Sequence, residues 1–354
     1  GGLGDDLLLG GNGTDSYIGG NGSDTVDYRG GPLGVTVDLV SGLGSGGQAQ
    51  GDLYTQVENV LGTNLTDTLI GGAGVKTLAG FDGIDSLFGG SSGDSLLGGD
   101  ADDFLMGGSG ADRLDGGNGA NDMASYTLST SGVQVNMSDE VQETGGDAQG
   151  DRLTGVEHLV GSDFGDQLTG NASVNWLFGE SGGDLLAGGG AAGSLFGGSG
   201  DDAGFFHALD GAIIGGTGRD TLIGTSGSDL IQLSQAKWHF AGAFASFETL
   251  QLGDGNDFYN GATDGSDFEQ YNPLADGVVL FGGSGNDSLN MRGNSAAFGN
   301  NDSVFGGEGR DNIWGGGGDD SLFGDGGDDA LYGGFGSDPI HGGAGFDVTH
   351  IGRA

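Results

Sequence analysis

Residues 62–115 read, in blocks of nine, GTNLTDTLI, GGAGVKTLA, GFDGIDSLF, GGSSGDSLL, GGDADDFLM and GGSGADRLD. The common pattern is G-G-x-G-x-D-x-U-x, where U is a large apolar residue. A nine-residue phase kept over consecutive blocks is an internal repeat rather than a bias toward glycine and aspartate. Each position has a physical reason. The glycine-rich half must turn tightly and let other backbone come close, which a residue without a Cβ allows. The x-U-x half is a very short strand, in which alternation points U inward and its two neighbours outward.

The same register extends outward. It opens the chain as GGLGDDLLL, GGNGTDSYI and GGNGSDTVD, and it returns unbroken at 161–205 and at 306–350. Isolated copies start at Gly215, Gly224 and Gly282. Two blocks complete one rung, with a turn on each side. The U positions, among them Leu8, Leu87, Leu96, Leu105, Leu114, Leu186, Leu289, Ile313, Leu322 and Leu331, are then expected to stack as apolar ladders.

This nonapeptide resembles the RTX, or haemolysin-type, calcium-binding repeat. The resemblance implies an all-β fold, a right-handed parallel β-roll or β-helix solenoid with interrupting irregular rungs. It also implies many Ca2+ ions held between same-side turns, so that Asp85 pairs with Asp103 and Asp94 with Asp112. The candidate ligands are the sixth-position acids and their equivalents: Asp6, Asp15, Asp24, Asp67, Asp85, Asp94, Asp103, Asp112, Asp166, Asp184, Asp202, Asp220, Asp229, Asp257, Asp287, Asp311, Asp320, Asp329, Asp338 and Asp347. A carboxylate beside backbone carbonyls suits calcium, a hard cation that takes six to eight oxygens.

Charge supports a cationic partner. The 354 residues carry 51 acidic and 9 basic side chains, a formal net charge of -42, and a compact form without counterions would repel itself. On the order of fifteen to twenty divalent ions would offset most of the excess. The scattered basic residues exclude a nucleic-acid surface. With no cysteine, thiolate metal sites and disulfides are excluded. No run of apolar residues is long enough to span a membrane, and Gly1–Gly10 lacks the features of a signal peptide. The missing initial Met suggests processing or a segment of something longer. RTX proteins usually end in a non-repetitive secretion signal for type I export, whereas here the repeat runs to His350.

The repeats divide the chain into rolls at 1–27, 62–124, 161–232 and 282–354, separated by inserts at 28–61, 125–160 and 233–281. The first two inserts are copies of one another. Tyr28, GVTVDL, AQGD and VENVLG in one recur as Tyr126, GVQVNM, AQGD and VEHLVG in the other, and alternation predicts wider rungs of the same solenoid. In the second block after each insert the acid is lost to Lys76 or Asn175. That loss reads either as tolerated irregularity or as Lys76 taking the place of an ion beside Asp94. The third insert gathers Trp238, His239, Phe240, Phe244, Phe247, Phe258, Phe268 and Tyr271, and reads as a cap-like insertion with its own core, a binding face or a boundary between two rolls, with core filling favoured.

Chemistry beyond ion binding is not indicated. The five His residues are dispersed, no HExxH occurs, and the GxSxG matches at Gly89–Gly93 and Gly179–Gly183 lie inside glycine turns. The chain therefore reads as a non-enzyme, a structural, surface-layer, adhesive or assembly module. It would act outside a bacterial cell or on its surface, contacting further copies, other chains of an assembly or a surface glycan. The alternatives are a calcium-dependent folding and export module of a larger secreted enzyme or toxin, and a virion fibre or decoration protein. Outward ninth positions in the last blocks would form two aromatic ladders: Phe305, Phe323 and His341 on one face, and Trp314, Tyr332 and His350 on the other.

Overall fold

The computed structural model describes residues 1–138, 142–190, 193–205, 212–217, 220–224, 230–232, 247–252, 258–260, 279–291 and 301–352. Among them there is no α-helix. Short strands alternate between parallel ladders, joined by glycine turns, and the chain divides into two compact units, Gly1–Ser181 and Gly182–Ala354.

In the first unit the register confirms the eighteen-residue rung. Leu87 lies between Leu69 and Leu105 on one ladder, and Leu96 between Leu78 and Leu114 on the other. All six are fully buried, so each rung is held by one apolar side chain stacked on its neighbours above and below. In the second unit Val304 pairs with Leu322, and Ile313 stands between Leu289 and Leu331 in the same manner. Leu186 is buried too, whereas Leu8 is only half-buried because its end strand Leu7–Leu8 pairs on one side alone, with Thr25–Asp27.

In the regular rungs many strands are longer than three residues. Thr68–Ala73, Thr77–Asp82, Ser86–Ser91, Ser95–Asp100 and Phe104–Ser109 all run on into the next block's glycines. Same-side turns stack as closely as the strands do. Gly90 pairs with Gly108, and the Ser92 N–H donates to the Ser109 carbonyl at 2.7 Å. The glycine requirement is then concrete at Gly90: its φ is 118°, and any Cβ would run into the backbone of Gly72.

The first insert continues the ladder and adds an antiparallel detour. Thr36–Asp38 joins the ladder parallel to Thr68–Ala73 but turns back antiparallel to Leu43–Ser45, which meets Leu53–Thr55 antiparallel before that strand rejoins Ser16–Ile18 in parallel. A hairpin excursion is thus spliced into the ladder. Each insert also has a three-residue 3-10 turn, Gly47–Ala49 or Gly146–Ala148. Of the aromatic-rich stretch, strands Phe247–Gln251 and Phe258–Asn260 are described, while Trp238, His239, Phe240, Phe244, Phe268 and Tyr271 lie outside the described residues.

Candidate metal sites in the stacked turns

Just before each strand stands the acid, and stacking of the turns lines these acids into files. One Oδ1 accepts the N–H of the acid one rung earlier. Asp67 N–H donates to Asp85 at 2.7 Å, Asp85 to Asp103 at 2.8 Å, and Asp94 to Asp112 at 2.6 Å. Asp6 donates to Asp24 on the second file of the first unit. In the second unit Asp184, Asp202 and Asp220 form one file, which resumes on the same ladder with Asp320 and Asp338, and Asp287, Asp311, Asp329 and Asp347 form the other. The structure therefore brings Asp85 to Asp103 and Asp94 to Asp112, the two pairs expected. Asp229 and Asp257 lie outside the described residues.

The second carboxylate oxygen decides the chemistry. At Asp24, Asp85, Asp94, Asp103, Asp112, Asp202, Asp311, Asp329 and Asp338, Oδ2 is out of contact with water and accepts no hydrogen bond. It is folded over the first glycine of its own block, so close that a Cβ on Gly89 would stand 2.7 Å from Asp94 Oδ2. A buried anionic oxygen without a donor costs on the order of 1–3 kcal/mol or more. Repetition along a file makes a partner for these atoms necessary.

Burial expresses the same need as proton affinity. Desolvation, reinforced by neighbouring acids and partly opposed by the backbone N–H, pushes Asp85 and Asp103 up to about 7. Asp94, Asp112, Asp202 and Asp311 are pushed up to about 6, again chiefly by burial. A bound cation would reverse the sign of that environment. Among the described residues no three acidic or imidazole side chains converge on one point, so a site would combine one carboxylate per turn with backbone carbonyls. That donor set is all oxygen, and it fits a large hard cation.

The files also recruit acids that the nonapeptide template misses. Asp52 accepts from Asp15, Asp122 from Asp103, Asp151 from Asp112 and Asp302 donates to Asp320. Glu58 and Glu157 fill the same place, accepting from Asp24 and Asp122. Five of the six keep the tail acid-x-U-x, Ala124 standing at U after Asp122, while the glycines before it are displaced or lost, and that tail was the signal available. Two expected ligands stand apart from the rest. Asp67 accepts from the N–H and hydroxyl of Thr63 and from Val35 N–H, and Asp166 accepts likewise from Ser162 and Val133. At the outermost rungs Asp6 and Asp15 accept from the N–H of Gly2 and Gly11.

Where the acid is lost, a donor replaces it. Lys76 is buried, takes Asp94 Oδ1 on its own N–H, and directs Nζ to the Val57 carbonyl at 3.4 Å. Asn175 directs Nδ2 to the Glu157 carbonyl at 2.8 Å.

Comparison with known proteins agrees with this geometry. A search of the curated proteins finds no match. The family model described as the RTX calcium-binding nonapeptide repeat (4 copies) matches residues 1–26, 61–123, 151–195, 212–234, 278–290 and 297–348, together well over half of the chain. Repeated turns, buried carboxylates and this match lead to one conclusion: the chain belongs to the RTX calcium-binding nonapeptide repeat family, and its repeats bind Ca2+.

Proposed function

We propose that this protein is a noncatalytic, calcium-stiffened module of a secreted bacterial assembly, which folds where calcium is plentiful and then packs against further chains or a surface glycan. RTX repeats are typical of secreted bacterial proteins, and among the described residues no helix is long and apolar enough to cross a membrane. The observation that carries calcium-linked folding is the file of buried Oδ2 atoms without donors, repeated rung after rung. An ion bound only by the ordered turns adds its binding energy to their stability.

The packing surface is the pair of aromatic ladders on the second unit. Phe281, Phe305, Phe323 and His341 stack with ring centroids 4.6 to 5.0 Å apart, and Trp314, Tyr332 and His350 stack on the other ladder at 5.3 and 4.6 Å. Contiguous aromatic surface of this kind marks contact sites more often than isolated exposed rings do. A calcium titration followed by circular dichroism and light scattering tests both halves of the reading. Chelation should abolish the β signal of most rungs, and F323S/Y332S should keep calcium-dependent folding but lose assembly. Unchanged β signal in excess chelator overturns the folding half, and unchanged scattering and glycan binding in the double variant overturn the contact half.

A further inference from the structure

The regular turns leave a carboxylate oxygen for an ion, but at three turns of each insert it is closed by a donor. In the first insert the Tyr28 hydroxyl donates to Asp52 Oδ2 at 2.7 Å and also pairs with the Tyr54 hydroxyl. In the second, the Tyr126 hydroxyl donates to Asp151 Oδ2 at 3.1 Å. Two blocks further on, past Glu58 and Glu157, each insert repeats the device with a shorter hydroxyl. Thr63 Oγ1 reaches Asp67 at 3.1 Å and Ser162 Oγ reaches Asp166 at 2.8 Å, while the backbone N–H of the same two residues takes the other oxygen. The block after that replaces the acid by a nitrogen donor, Lys76 or Asn175, aimed at a carbonyl of the preceding same-side turn.

Three of the four blocks from Asp52 to Lys76 are thus closed by protons, and the same three of the four from Asp151 to Asn175; the remaining block carries Glu58 or Glu157, which accepts the N–H of Asp24 or Asp122. The residues differ, Thr against Ser and Lys against Asn, yet the donor is retained. A calcium ion at these places would have to displace hydroxyl donors that are buried and would then lack partners. At Lys76 it would meet an ammonium of like charge. Each insert also has an apolar core independent of any ion: Tyr28, Val35, Val37, Ala49 and Val57 in one, and Tyr126, Val133, Val135, Ala148 and Val156 in the other, all buried.

We propose that the rungs at 28–79 and 126–178 are two metal-free nodes, closed by Tyr, Thr or Ser hydroxyls and by Lys76 or Asn175 in place of calcium. They hold their structure at low calcium and serve as seeds onto which neighbouring rungs add as ions arrive, since rungs of a solenoid interact mainly with adjacent ones. The inference rests on the calcium-linked folding proposed above. Its consequence is a graded response to calcium rather than a single all-or-none transition.

Hydrogen exchange read by mass spectrometry on the full chain, with calcium and in excess EGTA, tests it. In EGTA, peptides from 28–69 and 126–169 should exchange at least about tenfold more slowly than peptides from 85–115, which should exchange as unfolded chain. Uniform loss of protection overturns the nodes while leaving calcium-linked folding intact. Uniform retention overturns both. A second measurement guards against a variant that fails to fold: D67N/D166N should bind as many calcium ions per chain as the parent, whereas D85N should bind fewer. Equal losses in the two variants overturn the proposal.

Discussion

Asp103 and Asp67 belong to the same file of the same ladder, yet they solve the burial of a carboxylate in opposite ways. Asp103 gives Oδ1 to a backbone N–H and leaves Oδ2 without a donor, while both oxygens of Asp67 are taken by backbone N–H groups and the Thr63 hydroxyl. The difference comes from one position. Where the second glycine of the block becomes Thr63, its backbone N–H reaches Oδ2 while its hydroxyl joins Val35 N–H on Oδ1, and the demand for a cation disappears. Membership of the repeat is therefore a property of the backbone, whereas ion binding is decided turn by turn by which donors surround the acid.

The largest test of this contrast is in the core. L105A removes a fully buried side chain stacked between Leu87 and Ala124, and should lower the stability of the calcium-loaded protein by about 2–5 kcal/mol. Denaturant unfolding in calcium measures it. In EGTA the same substitution should leave exchange at 28–69 unchanged, and slower or faster exchange there would show that the regular rungs hold up the insert.

A smaller effect separates acid from ammonium. D103A removes the carboxylate that serves the turn of Asp85, and should lower bound calcium by one or more ions per chain, whereas K76A should lower it by none. Equilibrium dialysis with radioactive calcium decides between them, and equal losses would mean that Lys76 neighbours an ion after all.

Protons supply the gentlest perturbation. In the calcium-free chain Asp85 and Asp103 are held near 7 and Asp94 and Asp112 near 6, above the ordinary carboxylate range because burial disfavours the charge. The folded state thus binds more protons than the unfolded state between about pH 4 and pH 7, so its stability falls as pH rises through that window. Lowering the pH of calcium-free protein from 7.5 toward 5 should restore part of the β signal, and most of the gain should come from 85–115. No gain in 85–115 would contradict the assignment of the raised carboxyls there. At pH 7.5 with calcium bound, the same carboxylates are ionised and the dependence should vanish.

Much of this was legible in the sequence because a solenoid makes long-range contacts out of a short-range period. Once the nine-residue phase is known, Leu87 must meet Leu69 and Leu105, and Asp85 must meet Asp103. The inserts resisted because their spacing is irregular: Asp112 reaches Asp151 across thirty-nine residues and Asp15 reaches Asp52 across thirty-seven, distances that no fixed period predicts. The template was also too strict. Asp122 stands one place late after an extra residue in its turn, and Asp302 follows a segment without the leading glycines, yet both enter the files because the strand behind them sets their position. Tyr28 and Tyr126 were visible as matching landmarks, but that their hydroxyls end on Asp52 and Asp151 depended on the antiparallel excursion, which alternation alone does not specify.

The eighteen-residue register has a consequence for how such a chain can change length. Each rung makes the same contacts above as below, so a duplication or deletion of eighteen codons within 80–115 returns every leucine, glycine and acid to an equivalent neighbour. A change of nine codons would exchange the two ladders beyond the join, and one that is not a multiple of nine would set turns against strands, with an odd slip also turning side chains inside out. Unequal recombination between neighbouring rungs can therefore lengthen the molecule by about 4.8 Å at a time without inventing a new contact. The inserts, whose tyrosines have singular partners, would be inherited whole or lost.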